Sequence, residues 1–169
     1  MKPEDDMREE EAGPGGAKLR AGSMQILALT EAAIRTMVYL AAAGAGRKVP
    51  GREICRMQQI RPAWLIKCVR PLVERGLIST VRGVGGGFEL SKPPESITLL
   101  EIVEAVQGPI LFNRCLLAPG ACEREPMCPV HPVWKEIRGS AEKILSGWNL
   151  RDLARTARAR SILTGGEGG

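Results

Sequence analysis

No apolar run in this chain approaches the roughly 18–20 residues that a bilayer span requires. The N-terminus also lacks the basic-then-apolar order of a secretion signal. A phosphate-cradling glycine loop, a catalytic dyad and a substrate-pocket motif are missing as well. Histidine occurs once, at position 131, and the five cysteines are an odd number. That count argues against a secreted disulfide framework and for a reducing compartment. Membrane contact, export and enzymatic turnover are therefore not expected, and a cytoplasmic binding protein is. At 169 residues with 44% hydrophobic side chains, the chain has enough apolar matter for one core with appendages.

Charge is unevenly spread. Residues 1–23 carry four Lys/Arg against six Asp/Glu, whereas the remainder carries 20 against 13. The acidic, glycine-rich opening reads as a disordered tail, as does 161–169. The basic body between them suits a polyanionic partner.

The pattern from Thr30 onward is helical, with Thr30 as the expected N-cap and Ile34, Met37, Val38 and Ala41 on one stripe. Gly44 and Gly46 stop this helix. A short second helix is expected over 51–57, and a third from Pro62 to about Arg75, with Pro at the first helical position and Gly76 at the end. Two helices separated by so short a turn fit a helix-turn-helix. Leu77–Val81, a glycine-rich tip and Phe88–Leu90 then read as a β-hairpin. The fold class is therefore mainly α with a small β-wing: a winged helix-turn-helix over 24–95. Thr98 and Glu101 form a capping box for a connecting helix within 96–112. Beyond a loop at 113–131, Val133, Trp134, Ile137, Ala141, Ile144, Leu145 and Trp148 recur at helical spacing. So long an apolar stripe should bury against a two-fold partner, which makes 132–160 a dimerisation helix followed by a short helix capped by Asn149.

In a winged helix the third helix enters the major groove of double-stranded DNA with its N-terminal residues toward the bases. Arg61, Ala63, Trp64 and Lys67 are the candidates there, Arg61 and Lys67 for polar contacts; Trp64 serves equally well as core. Arg52, Arg56 and Arg70 suit phosphates, which position without specifying. Arg82 suits a narrow minor groove, and Gly83 and Gly85 after it permit close backbone approach.

The loop holds Cys115, Cys122 and Cys128, with His131 three positions on. Gly and Pro break regular structure there, and apolar side chains are few, so a metal or iron–sulfur staple is indicated. Spacing alone does not choose between iron and zinc. Cys55 and Cys68, on the second and third helices, read as buried small hydrophobes.

The run from Arg61 through Leu72 to the wing sequence Arg82-Gly-Val-Gly-Gly-Gly-Phe-Glu-Leu, together with the loop ending Cys128-Pro-Val-His-Pro-Val-Trp, closely resembles Rrf2-type bacterial transcription regulators. The resemblance covers about Met24 to Arg155. It implies a homodimer that binds promoter DNA and carries an iron–sulfur cluster on Cys115, Cys122 and Cys128. It also implies a fourth ligand, either His131 or an acidic residue on the first helix, here Glu31. A [2Fe–2S] centre is expected ahead of [4Fe–4S]. The alternatives are a zinc-stapled winged-helix interaction module and a thiol-based redox regulator. Arg61 stands where many members have a serine cap, and Pro71 lies inside the recognition helix.

Overall fold

The structure is a computed structural model that describes residues 26–44 and 46–159, with the Arg114 side chain excepted. The tails expected at 1–23 and 161–169 lie outside the described residues. Six α-helices and one hairpin follow in order: α1 (Ala28–Ala43), α2 (Gly51–Gln58), α3 (Pro62–Glu74), β1 (Ile78–Val81), β2 (Gly87–Leu90), α4 (Leu99–Gln107), α5 (His131–Ser146) and α6 (Leu150–Ala159). The fold is thus mainly helical with a two-stranded antiparallel wing.

Helix α1 is the hub, packing against α2, α3, α4 and α6. It buries Ala33, Met37 and Leu40, and around them gather Ile54, Leu72, Leu77, Ile78, Ile97, Ile102 and Leu150. One correction concerns its start. Leu27, in extended conformation, occupies the cap position without a side-chain bond, and Thr30 sits one turn inside with its side chain fully buried. The helix begins earlier than its polar signal because Thr30 lies on the face that packs inward, ahead of Ala33 and Met37. Burial of that face outweighs a cap of about 1 kcal/mol.

Helices α1 and α2 are also joined through a polar knot. Tyr39 Oη and Arg47 Nη2 both donate to Glu53 Oε1, each at 2.9 Å. The turn between α2 and α3 is made by Gln59, the one non-glycine residue with positive φ among those described. Helix α3 starts at Pro62 behind an uncapped Arg61 and continues past Pro71 to Glu74 without a break. The missing amide of Pro71 and its ring cost an interior helix roughly 3 kcal/mol, which the burial of Leu65, Cys68, Val69 and Leu72 has to offset.

In the wing, Ile78 pairs with Leu90 and Val81 with Gly87. A third chain segment joins: Val49 and Phe88 exchange both backbone hydrogen bonds at 2.9 Å. That bridge fixes the wing to the start of α2. Room decides the sequence here, since a Cβ on Gly87 would lie 2.4 Å from the Val49 carbonyl oxygen.

The capping box of α4 is present, with Thr98 Oγ1 accepting from the Glu101 amide and Glu101 accepting from the Thr98 amide. Asn149 caps α6 through a 3.0 Å bond from the Asp152 amide. These two helix starts are tied together by Leu99 N–H to the Trp148 carbonyl and Leu150 N–H to the Ile97 carbonyl. The turn from α5 to α6 is therefore anchored on α4, and α4 also supports α5.

Candidate nucleic-acid interface and thiol loop

Helix α3 divides cleanly. Leu65, Cys68, Val69 and Leu72 face the core, while Ala63, Ile66, Lys67, Arg70 and Glu74 face outward. Arg61 is exposed at the helix start, its guanidinium 6.0 Å from the centroid of the Trp64 ring, at the limit of cation–π attraction. Trp64 itself is half-buried and packed on the core cluster. It thus shapes the helix surface more than it projects from it. Arg52 and Arg56 are exposed on α2, and Arg82 is exposed at the wing. Arg70 Nε donates to Glu74 Oε1 at 3.0 Å, an exposed pair one turn apart that contributes little to stability.

The wing tip follows its glycines. Gly83 and Gly85 have φ of +95° and +75° and are exposed, so they shape the turn by conformation, whereas Gly86 and Gly87 are needed for space. The structure adds two residues that the sequence reading did not select. Val84, between the two turn glycines, is fully exposed at the tip, and Ile66 is 63% exposed on the outward face of α3. The helical wheel carries only part of this signal for Ile66: it lies roughly 160° from Cys68 but about 60° from Val69, at the margin of the buried stripe.

The thiol loop is ordered into short turns. Cys115 lies in a single 3-10 turn (Arg114–Leu116), and Cys128 ends a second (Glu125–Met127). All three loop thiols are free and half-buried. Arg138 of α5 holds the loop, donating to the Leu116 carbonyl at 3.2 Å while pairing with Glu142 at 2.7 Å.

Glu125 knits the loop from within. Its carboxylate accepts from the Gly120 amide at 2.8 Å, its own amide donates to the Cys122 carbonyl at 3.0 Å, and Oε1 approaches His131 Nε2 at 3.5 Å. Cys122, Glu125, His131 and Lys135 line an open groove of about 600 Å³. Here the structure brings together Cys122 and His131; Cys115 and Cys128 do not line that groove.

Whether this loop fits a metal or cluster can be judged on its donors. His131 Nδ1 is buried and has no hydrogen-bond partner among the described residues. A buried ring nitrogen left this way needs an electrophile or a donor, and three thiols within the same loop are suitable co-ligands. The donor chemistry fits. Convergence is not built into the bare chain, for among the described residues no three His, Cys, Asp or Glu side chains stand together as a ready-made metal site. Glu31, the alternative ligand, is exposed in the first turn of α1 and 4.0 Å from Arg35.

Comparison with known proteins agrees with this anatomy. The family model for Rrf2, "Iron-dependent Transcriptional regulator", matches residues 26–156. An HTH-type transcriptional regulator of Aquifex aeolicus is 32% identical over 123 residues, covering 72% of this chain and 85% of that one. The HTH-type transcriptional regulator IscR of Escherichia coli is 30% identical over 121 residues, covering 72% and 74%. Among solved structures, CymR, the global cysteine regulator of B. subtilis, is similar with a TM-score of 0.65 at 25% identity, over 79% of this chain and 98% of that one. T. potens IscR is similar in fold, with a TM-score of 0.64 at 22% identity over 79% and 88%. With a winged helix, an exposed cationic recognition face and a match over most of its length, this chain belongs to the Rrf2 family of DNA-binding transcription regulators, which are not enzymes.

Proposed function

We propose that this regulator is a cytoplasmic homodimer whose affinity for promoter DNA is set by an iron–sulfur cluster, [2Fe–2S] in preference to [4Fe–4S]. Cys115, Cys122, Cys128 and His131 would hold the cluster. A bound cluster would supply one-electron redox chemistry and sensitivity to oxidants and nitric oxide. The observation that carries this reading is the chain's single histidine, which lines the groove beside Cys122 and whose buried Nδ1 has no partner among the described residues. Glu125 holds the opposite edge of the imidazole, the Gly120 amide and the Cys122 carbonyl. Arg138 ties the loop to α5, so a rearranged loop pulls on that helix. Arg61, Ala63, Trp64, Lys67 and Arg70 form the recognition surface, with Arg52 on phosphates and Arg82, Gly83 and Gly85 at the wing.

Anaerobic purification tests the reading. A brown protein containing iron and acid-labile sulfide is expected, with Cys122→Ala losing both the colour and the iron. Footprinting of holo and apo forms should then show different affinities. Colourless protein carrying one zinc per chain would replace cluster sensing with a zinc staple. Among the described residues no three donors stand preassembled, which favours one second reading, a thiol-based regulator. Metal-free protein whose DNA affinity changes on oxidation of the loop cysteines would establish it.

A further inference from the structure

We infer that Ile66 is a base-reading residue, and that the half-site bound by α3 carries a thymine recognised through its C5-methyl group. A single exposed isoleucine is ordinary on a protein surface, so placement has to carry the argument. Ile66 is 63% exposed one turn into the recognition helix, in the N-terminal half that faces base edges in this class of domain. Ala63 is one turn before it, Lys67 next to it and Arg70 one turn after it, all on the outward face. No acidic residue occurs in α3 before Glu74. With Arg52 and Arg56 exposed on the preceding helix, the charge around Ile66 selects a polyanion as the occupant of this face.

The chemistry of the groove then narrows the target. Guanine, adenine and cytosine present only acceptors or donors along the major-groove edge, whereas thymine adds a methyl group. The branched side chain of Ile66 has nothing to donate or accept. Against the other three edges it would strip a polar atom of water without replacing the partner, which is unfavourable. Against thymine it buries methyl on methyl. The small Ala63 beside it lets the helix approach closely. Polar readout thus falls to Arg61 and Lys67, and apolar readout to Ile66.

The experiment uses the full-length protein to select binding sites from a random duplex pool. Each thymine of the recovered motif is then replaced by deoxyuridine, which deletes only the methyl group. In each half-site one replacement should weaken binding about fourfold, the effect of one buried methyl-sized group. Ile66→Ala should abolish that penalty and Ile66→Val keep it. The salt dependence of binding should be the same in all three proteins, because no phosphate contact changes. Thermal melting matched to wild type checks that the alanine variant is folded, as an exposed helical site predicts. A motif with no deoxyuridine-sensitive thymine overturns the inference. So does a penalty that persists undiminished in Ile66→Ala, or a pool that yields no motif.

Discussion

Cys68 and the loop thiols illustrate how position decides what a cysteine does. The Cys68 side chain is fully buried and its Sγ donates to the Leu65 carbonyl at 3.3 Å. Burial pushes its pKa from 9.0 up to about 11, because the thiolate loses its hydration. Cys115, Cys122 and Cys128 are half-buried and free. In metal-free native protein at neutral pH, iodoacetamide should label these three while sparing Cys68, with peptide mass spectrometry as the readout. Labelling of Cys68 at the rate of the loop thiols would refute its burial. The same shift has a stability consequence. Folded Cys68 retains its proton when the unfolded thiol has lost it, so its contribution is fully present below pH 9 and disappears as pH rises toward about 11. Denaturation midpoints should fall through that window, and Cys68→Ser should flatten the fall.

At this scale the sequence was legible where residue type announces its own chemistry. Cys115, Cys122, Cys128 and His131 stand out by spacing, and the arginines proposed to contact DNA stand out by their concentration on the helices and wing. Cys68 was readable as a buried hydrophobe for the same reason that Ile66 was overlooked: an apolar letter suggests interior. Only the angular position on α3 separates the two. The Nδ1 of His131, without a partner among the described residues, and the bracing role of Glu125 had no sequence signal, since both depend on how the loop folds.

Among the elements, the wing is the most demanding. Its short antiparallel pair is anchored by the Val49–Phe88 bridge, and Gly87 lies where a Cβ would be 2.4 Å from the Val49 oxygen and 2.6 Å from its carbonyl carbon. Both are backbone atoms and cannot rotate away. Gly87→Ala should therefore break the bridge and tilt the wing, at an overpacking cost of about 1–3 kcal/mol. If the tilt forfeits that much at the DNA contact, affinity should drop about 5- to 100-fold at about 1.4 kcal/mol per decade, while helical circular dichroism persists. Wild-type affinity in this variant would show that the bridge is dispensable. Element identity was largely readable in advance, because each signal is local: Pro62 at a helix start, Gly76 after a helix end, and side-chain caps at Thr98 and Asn149. The exception at Thr30 follows the same logic. A polar residue looks like a cap until packing turns its face inward. The Val49 bridge could not be read at all, for it joins a loop to a strand nearly forty residues away.

For the whole molecule, α5 is the unfinished part. None of its residues is buried, although its apolar stripe is wide. Trp134, Ala141 and Leu145 are half-buried, on the side that α4 supports. Val133, Ile137 and Ile144 of α5, and Trp148 just beyond its end, remain between 36% and 63% exposed along the adjoining side. The spacing made the stripe legible, but the division of it between α4 and solvent depends on tertiary packing and could not be foreseen. A 16-residue helix is roughly 24 Å long, long enough to meet its own copy across a two-fold axis along one continuous seam. Ile144 is the most exposed of the four and lies toward the end away from the loop, so a charge there tests the seam without disturbing the thiols. Ile144→Lys should convert the proposed dimer to a monomer in sedimentation equilibrium while leaving the far-ultraviolet spectrum unchanged. Binding to a palindromic site should weaken far more than binding to an isolated half-site, because two reading helices about 34 Å apart no longer act on one duplex. If Ile144→Lys remains dimeric and binds the palindrome normally, α5 does not join the subunits, and the tether from Arg138 to the thiol loop cannot be the route by which the loop reaches DNA.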